Sequence, residues 1–275
     1  MAKKIGTDVG EWMFGSSGND EMHGLGGNDW LKGYGGADIL RGGSGSDTLD
    51  GGDGADTADY GDSPGGVFVS LISGFASGGD AEGDTLKSIE HITGSPFIDV
   101  LVGDDYANSL NGGAGYDILQ GFGGDDRLDG GSGDGSLYGM AGNDVLFVSH
   151  SNGNNLLNGG PGADRIMTGF GADRIVFSAI DDLGTQSSDW IIGFYPQEGD
   201  RFDLRGIDAD VYAPGDQSFA FIGNGTFSGT PGEIRYYERG PDLIFELQTG
   251  TSTDIEAFFV VSTQPQTPQA GWFLL

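Results

Sequence analysis

The sequence predicts an all-β chain of short parallel strands stacked coil on coil. Three observations predict it. From Gly15 to Asp59 the chain repeats every nine residues: GSSGNDEMH, GLGGNDWLK, GYGGADILR, GGSGSDTLD, GGDGADTAD. The fourth position of each repeat is Gly (Gly18, Gly27, Gly36, Gly45, Gly54) and the sixth is Asp (Asp20, Asp29, Asp38, Asp47, Asp56). The eighth is apolar: Met22, Leu31, Leu40, Leu49 and a weaker Ala58. A fixed period with one chemistry at each phase marks stacked coils.

The logic of one repeat is short. Glycine at phases one, two and four permits positive φ and a tight turn. The phase-six Asp projects a carboxylate from that turn. Phases seven to nine form a short strand whose phase-eight side chain faces inward. Two repeats close one coil, so turns two repeats apart lie about one strand spacing, ~4.8 Å, from each other. Carboxylates that close repel unless a cation lies between them. Turn carbonyls and carboxylates together make an all-oxygen cage, the donor set that suits Ca²⁺. The pairs so predicted are Asp20 with Asp38, Asp29 with Asp47, and Asp38 with Asp56.

These repeats resemble the GGxGxDxUx nonapeptides of the RTX, or haemolysin-type calcium-binding, family. The resemblance implies a parallel β-roll, a right-handed β-helix of nonapeptide repeats, with several Ca²⁺ ions in its turns. It also implies a secreted, extracellular protein handled by a type I secretion apparatus.

Composition agrees with a cation-binding reading. The chain has 275 residues and a net charge of −30, which disfavours nucleic acid and anionic membrane surfaces as partners. Its 55 glycines are phased rather than scattered. Without metal, glycine entropy and carboxylate repulsion favour the open chain, so folding is expected to be coupled to calcium. There is no Cys and hence no disulfide. The start, Met1 to Gly6, lacks the apolar core of a Sec signal peptide. No run of eighteen apolar residues predicts a transmembrane segment.

In chain order, residues 1–14 are expected to cap the first coil, with Trp12, Met13 and Phe14 over its open end. Residues 15–59 form the first roll. Residues 60–93 break the period as an inserted strand pair and acidic loop, in which Asp80, Glu82 and Asp84 read either as a further ion site or as an exposed turn. Residues 94–176 resume the period as the second roll. Phase four is again glycine at Gly115, Gly124, Gly142, Gly162 and Gly171. Phase six holds Asp99, Asn108, Asp117, Asp126, Gly135, Asp144, Asn155, Asp164 and Asp173. Asn108 offers a neutral oxygen and is expected to weaken its site; Gly135 offers no side chain opposite Asp117. Val148-Ser149 adds two residues, and Asn155 with Asp173 is a further predicted pair.

Residues 177–261 lose the period and are expected to form an antiparallel β cap. The stretches DWIIGF, GDRFDL, FAFIG and FSGTPGEIRY resemble the C-terminal region of serralysin-type exoproteins. Asp189, Asp200 and Asp203 read as strand-end turns rather than as a calcium site. Residues 262–275 end in Trp272-Phe273-Leu274-Leu275, an apolar tail with no evident folding role that resembles type I secretion signals.

No catalytic motif stands out. HExxH, GxSxG and a P-loop are missing, and a Cys nucleophile is impossible. His23, His91 and His150 are far apart in sequence, and His23 and His150, at outer phases of repeats, read as surface residues. Carboxylate pairs fall at one repeat phase, which assigns them to cages rather than to an acid–base pair. The chain therefore reads as a non-catalytic calcium-binding protein with an adhesive, matrix or host-contact role. The alternative is an accessory module of an extracellular enzyme, such as an alginate epimerase or protease, that binds polysaccharide or assists folding.

Overall fold

The computed structural model describes residues 2–148, 152–183, 188–210, 213–250, 257–262 and 266–275. The chain divides into two compact units, residues 1–136 and 137–275.

In the first unit, successive repeats feed two parallel sheets alternately. One sheet holds Ala2–Ile5, Asp20–Gly26, Ile39–Ser44, Thr57–Asp59, His91–Thr93, Ser109–Asn111 and Arg127–Asp129 as neighbours in that order. The other begins Trp12–Ser16, Trp30–Gly35, Thr48–Asp53 and ends Val100–Val102, Asp117–Gly123. Registers step by one coil: Met22 lies beside Leu40, Leu40 beside Ala58, Ile92 beside Leu110, Leu110 beside Leu128. All of these side chains are buried, as are Leu31, Leu49, Leu101 and Leu119. The predicted phase-eight ladder is thus the core, with each fully buried leucine contributing about 1.5–3 kcal/mol.

The lead-in differs from the expected cap. Residues 6–14 are themselves a degenerate repeat, with Glu11 in the Asp position and Met13 in register with Leu31. Strand alternation turns only Met13 inward. Trp12 and Phe14 stay exposed on the outer face, where Trp12 meets Trp30 edge-on at 4.2 Å between ring centroids.

Besides His91–Thr93, the insert forms three short strands joined edge to edge. Phe68–Ser70 pairs antiparallel with Phe75–Ser77, which pairs antiparallel with Thr85–Lys87. The outer two rejoin the roll, since Thr85–Lys87 runs parallel to Thr48–Asp53 and Phe68–Ser70 parallel to Val100–Val102. The detour therefore fills the sheet rather than interrupting it.

In the second unit the parallel coils outlast the nonapeptide period. Val145–Phe147, Arg165–Met167, Asp189–Ile192 and Ala257–Ser262 are parallel neighbours. Asn155–Asn158, Arg174–Val176, Arg201–Asp203 and Phe273–Leu274 form the opposite row. Among the described residues, antiparallel pairing, expected from residue 177 onward, is confined to Glu233–Arg239, Asp242–Gln248 and Ala257–Ser262. The aliphatic core gives way to rings: Phe194 stacks on Phe202 at 4.2 Å and Phe245 on Phe259 at 5.0 Å.

The C-terminal tail is not free. Trp272 and Phe273 are each 6% exposed, and Phe273 lies 5.7 Å from Phe202 and 5.6 Å from Phe245. Phe273–Leu274 form a rung beside Arg201–Asp203, and the buried Trp272 and Phe273 cover aromatic side chains that would otherwise face water. Phe273→Ala is expected to cost about 3–5 kcal/mol, and Leu119→Ala about 2–5 kcal/mol, in urea titrations at saturating calcium. An unmoved midpoint for Phe273→Ala would show that the tail is dispensable to the fold.

Candidate calcium turns

Each phase-six carboxylate bonds along the stack. Asp38 Oδ1 accepts the backbone N–H of Asp20 at 2.7 Å, Asp47 Oδ1 that of Asp29 at 2.8 Å, and Asp56 Oδ1 that of Asp38 at 2.8 Å. Asp117 Oδ1 accepts from Asp99 at 2.9 Å and Asp126 Oδ1 from Asn108 at 2.7 Å. In the second unit Asp164 accepts from Asp144 at 2.8 Å and Asp173 from Asn155 at 2.9 Å. The predicted pairs are brought together, each joined by a backbone amide–carboxylate bond, to which Asn155 Nδ2 adds a second bond to Asp173 Oδ1 at 2.9 Å.

The ladder also recruits residues that periodicity did not single out. Asp84 Oδ1 accepts from Asp47 at 2.7 Å, and Glu90 Oε2 from Asp56 at 2.9 Å, across the insert. Asp189 and Asp200 take the N–H groups of Asp164 and Asp173, each at 2.9 Å. Asp189 and Asp200 are therefore ladder members rather than plain strand-end turns. Asp203 is different: its carboxylate grips Arg205 at 2.7 and 2.9 Å. Asp80, Glu82 and Asp84 do not converge. The Asp80 amide bonds Ser63, Glu82 accepts from Gly78, and Asp84 Oδ2 takes the Tyr60 hydroxyl at 3.0 Å.

The second carboxylate oxygen divides the turns of the first unit into two kinds. In one kind it is closed by the amide four residues earlier. Ser16 N–H donates to Asp20 Oδ2 at 2.6 Å, Ser95 N–H to Asp99 Oδ2 at 2.5 Å, and Asp104 N–H to Asn108 Oδ1 at 2.7 Å. Thr7 N–H closes on Glu11 Oε2 in the same way at 3.1 Å. In the other kind, Oδ2 of Asp29, Asp38, Asp47, Asp56 and Asp117 is buried without a hydrogen-bond partner.

The backbone separates the same two groups. In the open turns phase two has positive φ, even where it is Leu25 (78°) or Tyr34 (76°) rather than Gly43, Gly52 or Gly113. Ser16, Ser95, Asp104 and Thr7 do not. Phase-one glycine leaves a cradle in both kinds of turn, since a Cβ at Gly94 in a closed turn would also lie 2.4 Å from Asp99 Oδ2 and 2.8 Å from the Gly112 carbonyl oxygen. A Cβ at Gly33 would lie 2.0 Å from Asp38 Oδ2 and 2.5 Å from the Gly51 carbonyl oxygen; one at Gly24 would lie 2.2 Å from Asp29 Oδ2 and 2.5 Å from the Gly42 carbonyl oxygen. At phase four, Gly45 has φ 138° and a Cβ there would sit 1.8 Å from Gly27 O. Gly18, in a closed turn, has no such constraint and faces open space.

Those residues fit a hard cation. An orphaned carboxylate oxygen and stacked carbonyls supply oxygen donors only. Among the described residues no three acidic or imidazole side chains gather at one point, so backbone oxygens must complete any such shell.

Residues 5–40, 14–49, 32–62, 102–137, 120–149 and 151–179 match the RTX calcium-binding nonapeptide repeat. The chain carries RTX calcium-binding repeats. No curated protein matches it. Among solved structures it is similar to the AlgE6R3 subunit of the Azotobacter vinelandii mannuronan C5-epimerase, at 22% identity over 60% of this chain and 71% of that one, with a TM-score of 0.26. It is also similar to the extracellular lipase LipA of Serratia marcescens, at 14% identity over 100% of this chain and 40% of the lipase, with a TM-score of 0.34.

Electrostatics of the RTX turns follow from burial. Desolvation pushes Asp47 and Asp56 up to about 6 and Asp117 up to about 7, with a neighbouring ladder carboxylate adding to each. Burial also raises Asp29 and Asp38. It works against Asp20 too, but there the Ser16 hydroxyl and amide outweigh it and hold the group below its ordinary value. Asp99 is raised by burial in spite of its bonds from Ser95.

The histidines stay outside this scheme. His23 Nε2 lies 2.7 Å from Glu21 on the outer face, and His150 lies outside the described residues. Among the described residues, no helix is long and apolar enough to cross a membrane.

Two outcomes are expected. Gly33→Ala should cost about 1–3 kcal/mol and weaken calcium uptake, measured by chelator titration. With calcium chelated, raised folded-state values mean that the roll binds protons the unfolded chain does not. Its stability is then fully present below the ordinary carboxylate value of about 4 and is lost as pH rises through about 6 to 7. Circular dichroism in chelator should show strand signal at pH 5 and its loss by about pH 7.5.

Proposed function

We propose that this is a secreted, non-catalytic RTX protein that folds on binding several Ca²⁺ ions outside the cell and serves adhesion, matrix building or host contact. One observation carries the reading: carboxylate oxygens recur in register along the stack, fully buried and unpartnered, beside carbonyls that a cation would share. Asp29, Asp38, Asp47, Asp56 and Asp117, with the backbone of their turns, would hold the ions. The Asp126, Asp144 and Asp164 turns, at the same phase, join them in this proposal. Calcium would supply positive charge that neutralises the stack; it performs no reaction step.

The division into a lead-in at 1–14, rolls at 15–59 and 94–176, an insert at 60–93, a serralysin-like cap at 177–261 and a tail at 262–275 belongs to the same proposal. So does export through a type I apparatus. In calcium-poor cytosol the net charge of −30 keeps the chain open for threading. Outside, millimolar calcium closes it.

A second reading, an accessory module that binds extracellular polysaccharide, is favoured by the exposed rings of Trp12, Phe14 and Tyr34 on one outer face of the first unit. Rings presented to solvent offer sugars a stacking surface.

Strand content followed by circular dichroism, with calcium and after excess chelator at pH 7.5, tests the main reading. Calcium is expected to convert a disordered spectrum into a β spectrum, reversibly. An unchanged spectrum after chelation rejects it. Binding to neutral glycans that disappears in Trp12→Ala would favour the second reading.

A further inference from the structure

We propose that ions load only the open turns, and that the self-closed turns at the start of each stack in the first unit, ending at Glu11, Asp20, Asp99 and Asn108, take none. This rests on the calcium reading above and sharpens it.

Oxygen accounting comes first. In the open turns Oδ2 of Asp29, Asp38, Asp47, Asp56 and Asp117 is buried with no hydrogen bond, a costly state that a cation relieves. In the closed turns the equivalent oxygen already holds a backbone N–H. The hydroxyls add to this: Ser16 Oγ lies 2.8 Å from Asp20 Oδ2, Ser95 Oγ 2.8 Å from Asp99 Oδ1, and Thr7 Oγ1 2.7 Å from Glu11 Oε1. An ion there would have to break bonds the turn has already made.

Backbone conformation points the same way. Holding Leu25 and Tyr34 at φ 78° and 76° costs about 1–2 kcal/mol each. The closed conformation would avoid that cost. The strained form is sensible where it keeps the amide off Oδ2 and leaves that oxygen for a ligand.

Asn108 supplies a third argument. A neutral amide stands at phase six in a closed turn and makes the same bond through Oδ1. Closure needs an acceptor, not a charge.

Position gives the arrangement its meaning. The turns ending at Glu11 and Asp20 open the first block, and those ending at Asp99 and Asn108 open the second. At the far end of the first block, Asp84 Oδ2 is met by the Tyr60 hydroxyl, and Glu90 receives the Asp56 amide. Each run of open turns is therefore floored by a turn that needs no metal. The first ion enters against a register already set by peptide hydrogen bonds.

Calcium counting on the full chain, by calorimetry and by elemental analysis after desalting, tests this. Asp20→Asn and Asp99→Asn should leave the number of bound ions and the calcium midpoint unchanged. Asp38→Asn and Asp117→Asn should each lower the number and raise the midpoint by about tenfold, a loss in affinity at the low end for a metal-site partner. Anomalous density from a terbium-soaked crystal of the unaltered chain reads the same question without any variant. Density in the turns ending at Asp29, Asp38, Asp47, Asp56 and Asp117, with none in those ending at Glu11, Asp20, Asp99 and Asn108, supports the inference. Ions in the turns ending at Asp20 or Asp99, or an ion count that falls in Asp20→Asn, overturns it while leaving calcium binding intact. A chain that takes up no calcium at all overturns the calcium reading and this inference together.

Discussion

The roll depends on one bond repeated along its axis, an aspartate carboxylate accepting the amide of the aspartate one coil earlier. That bond fixes the vertical register. Once the register is fixed, phase-eight side chains fall in line and the core follows without further instruction. The same bond uses one carboxylate oxygen and strands the other in a dry turn. Structure and ion demand therefore arise from a single residue at a single phase.

This coupling explains the composition. A −30 chain rich in glycine is a poor candidate for spontaneous collapse, since each ordered glycine costs entropy and each buried carboxylate costs solvation. The apolar ladder is one residue wide per strand. Burial alone does not compensate for a stack of desolvated charges, so an external cation becomes part of the folding equilibrium.

Much of this was legible in the sequence, because a nine-residue period with fixed chemistry leaves few architectures. The sheets, the phase-eight core and the ladder pairs eighteen residues apart follow from spacing. What spacing does not assign to the ladder are the residues that continue it after the period changes. Asp84, Glu90, Asp189 and Asp200 sit at irregular intervals, where a nine-residue frame no longer points to them. Glu11 was obscured because glutamate replaces the aspartate. The C-terminal rung was misjudged for a different reason: Trp272 and Phe273 look like a loose apolar tail until the ring-lined end of the second unit provides their partners. The distinction between open and closed turns was present in the letters at phase two, where Thr7, Ser16, Ser95 and Asp104 mark closure. Its significance needed the hydrogen bonds.

The interval between ladder partners varies widely while the contact itself hardly changes. Eighteen residues separate Asp29 from Asp47, twenty separate Asp144 from Asp164, and thirty-seven separate Asp47 from Asp84, yet the bond stays at 2.7–2.8 Å. The scaffold thus measures rungs and ignores contour length. Such a frame can carry passengers: foreign peptides spliced between rungs would be displayed on the flank while the spine closes beneath them. The excursion from residue 60 to 83 is a natural example of that cargo.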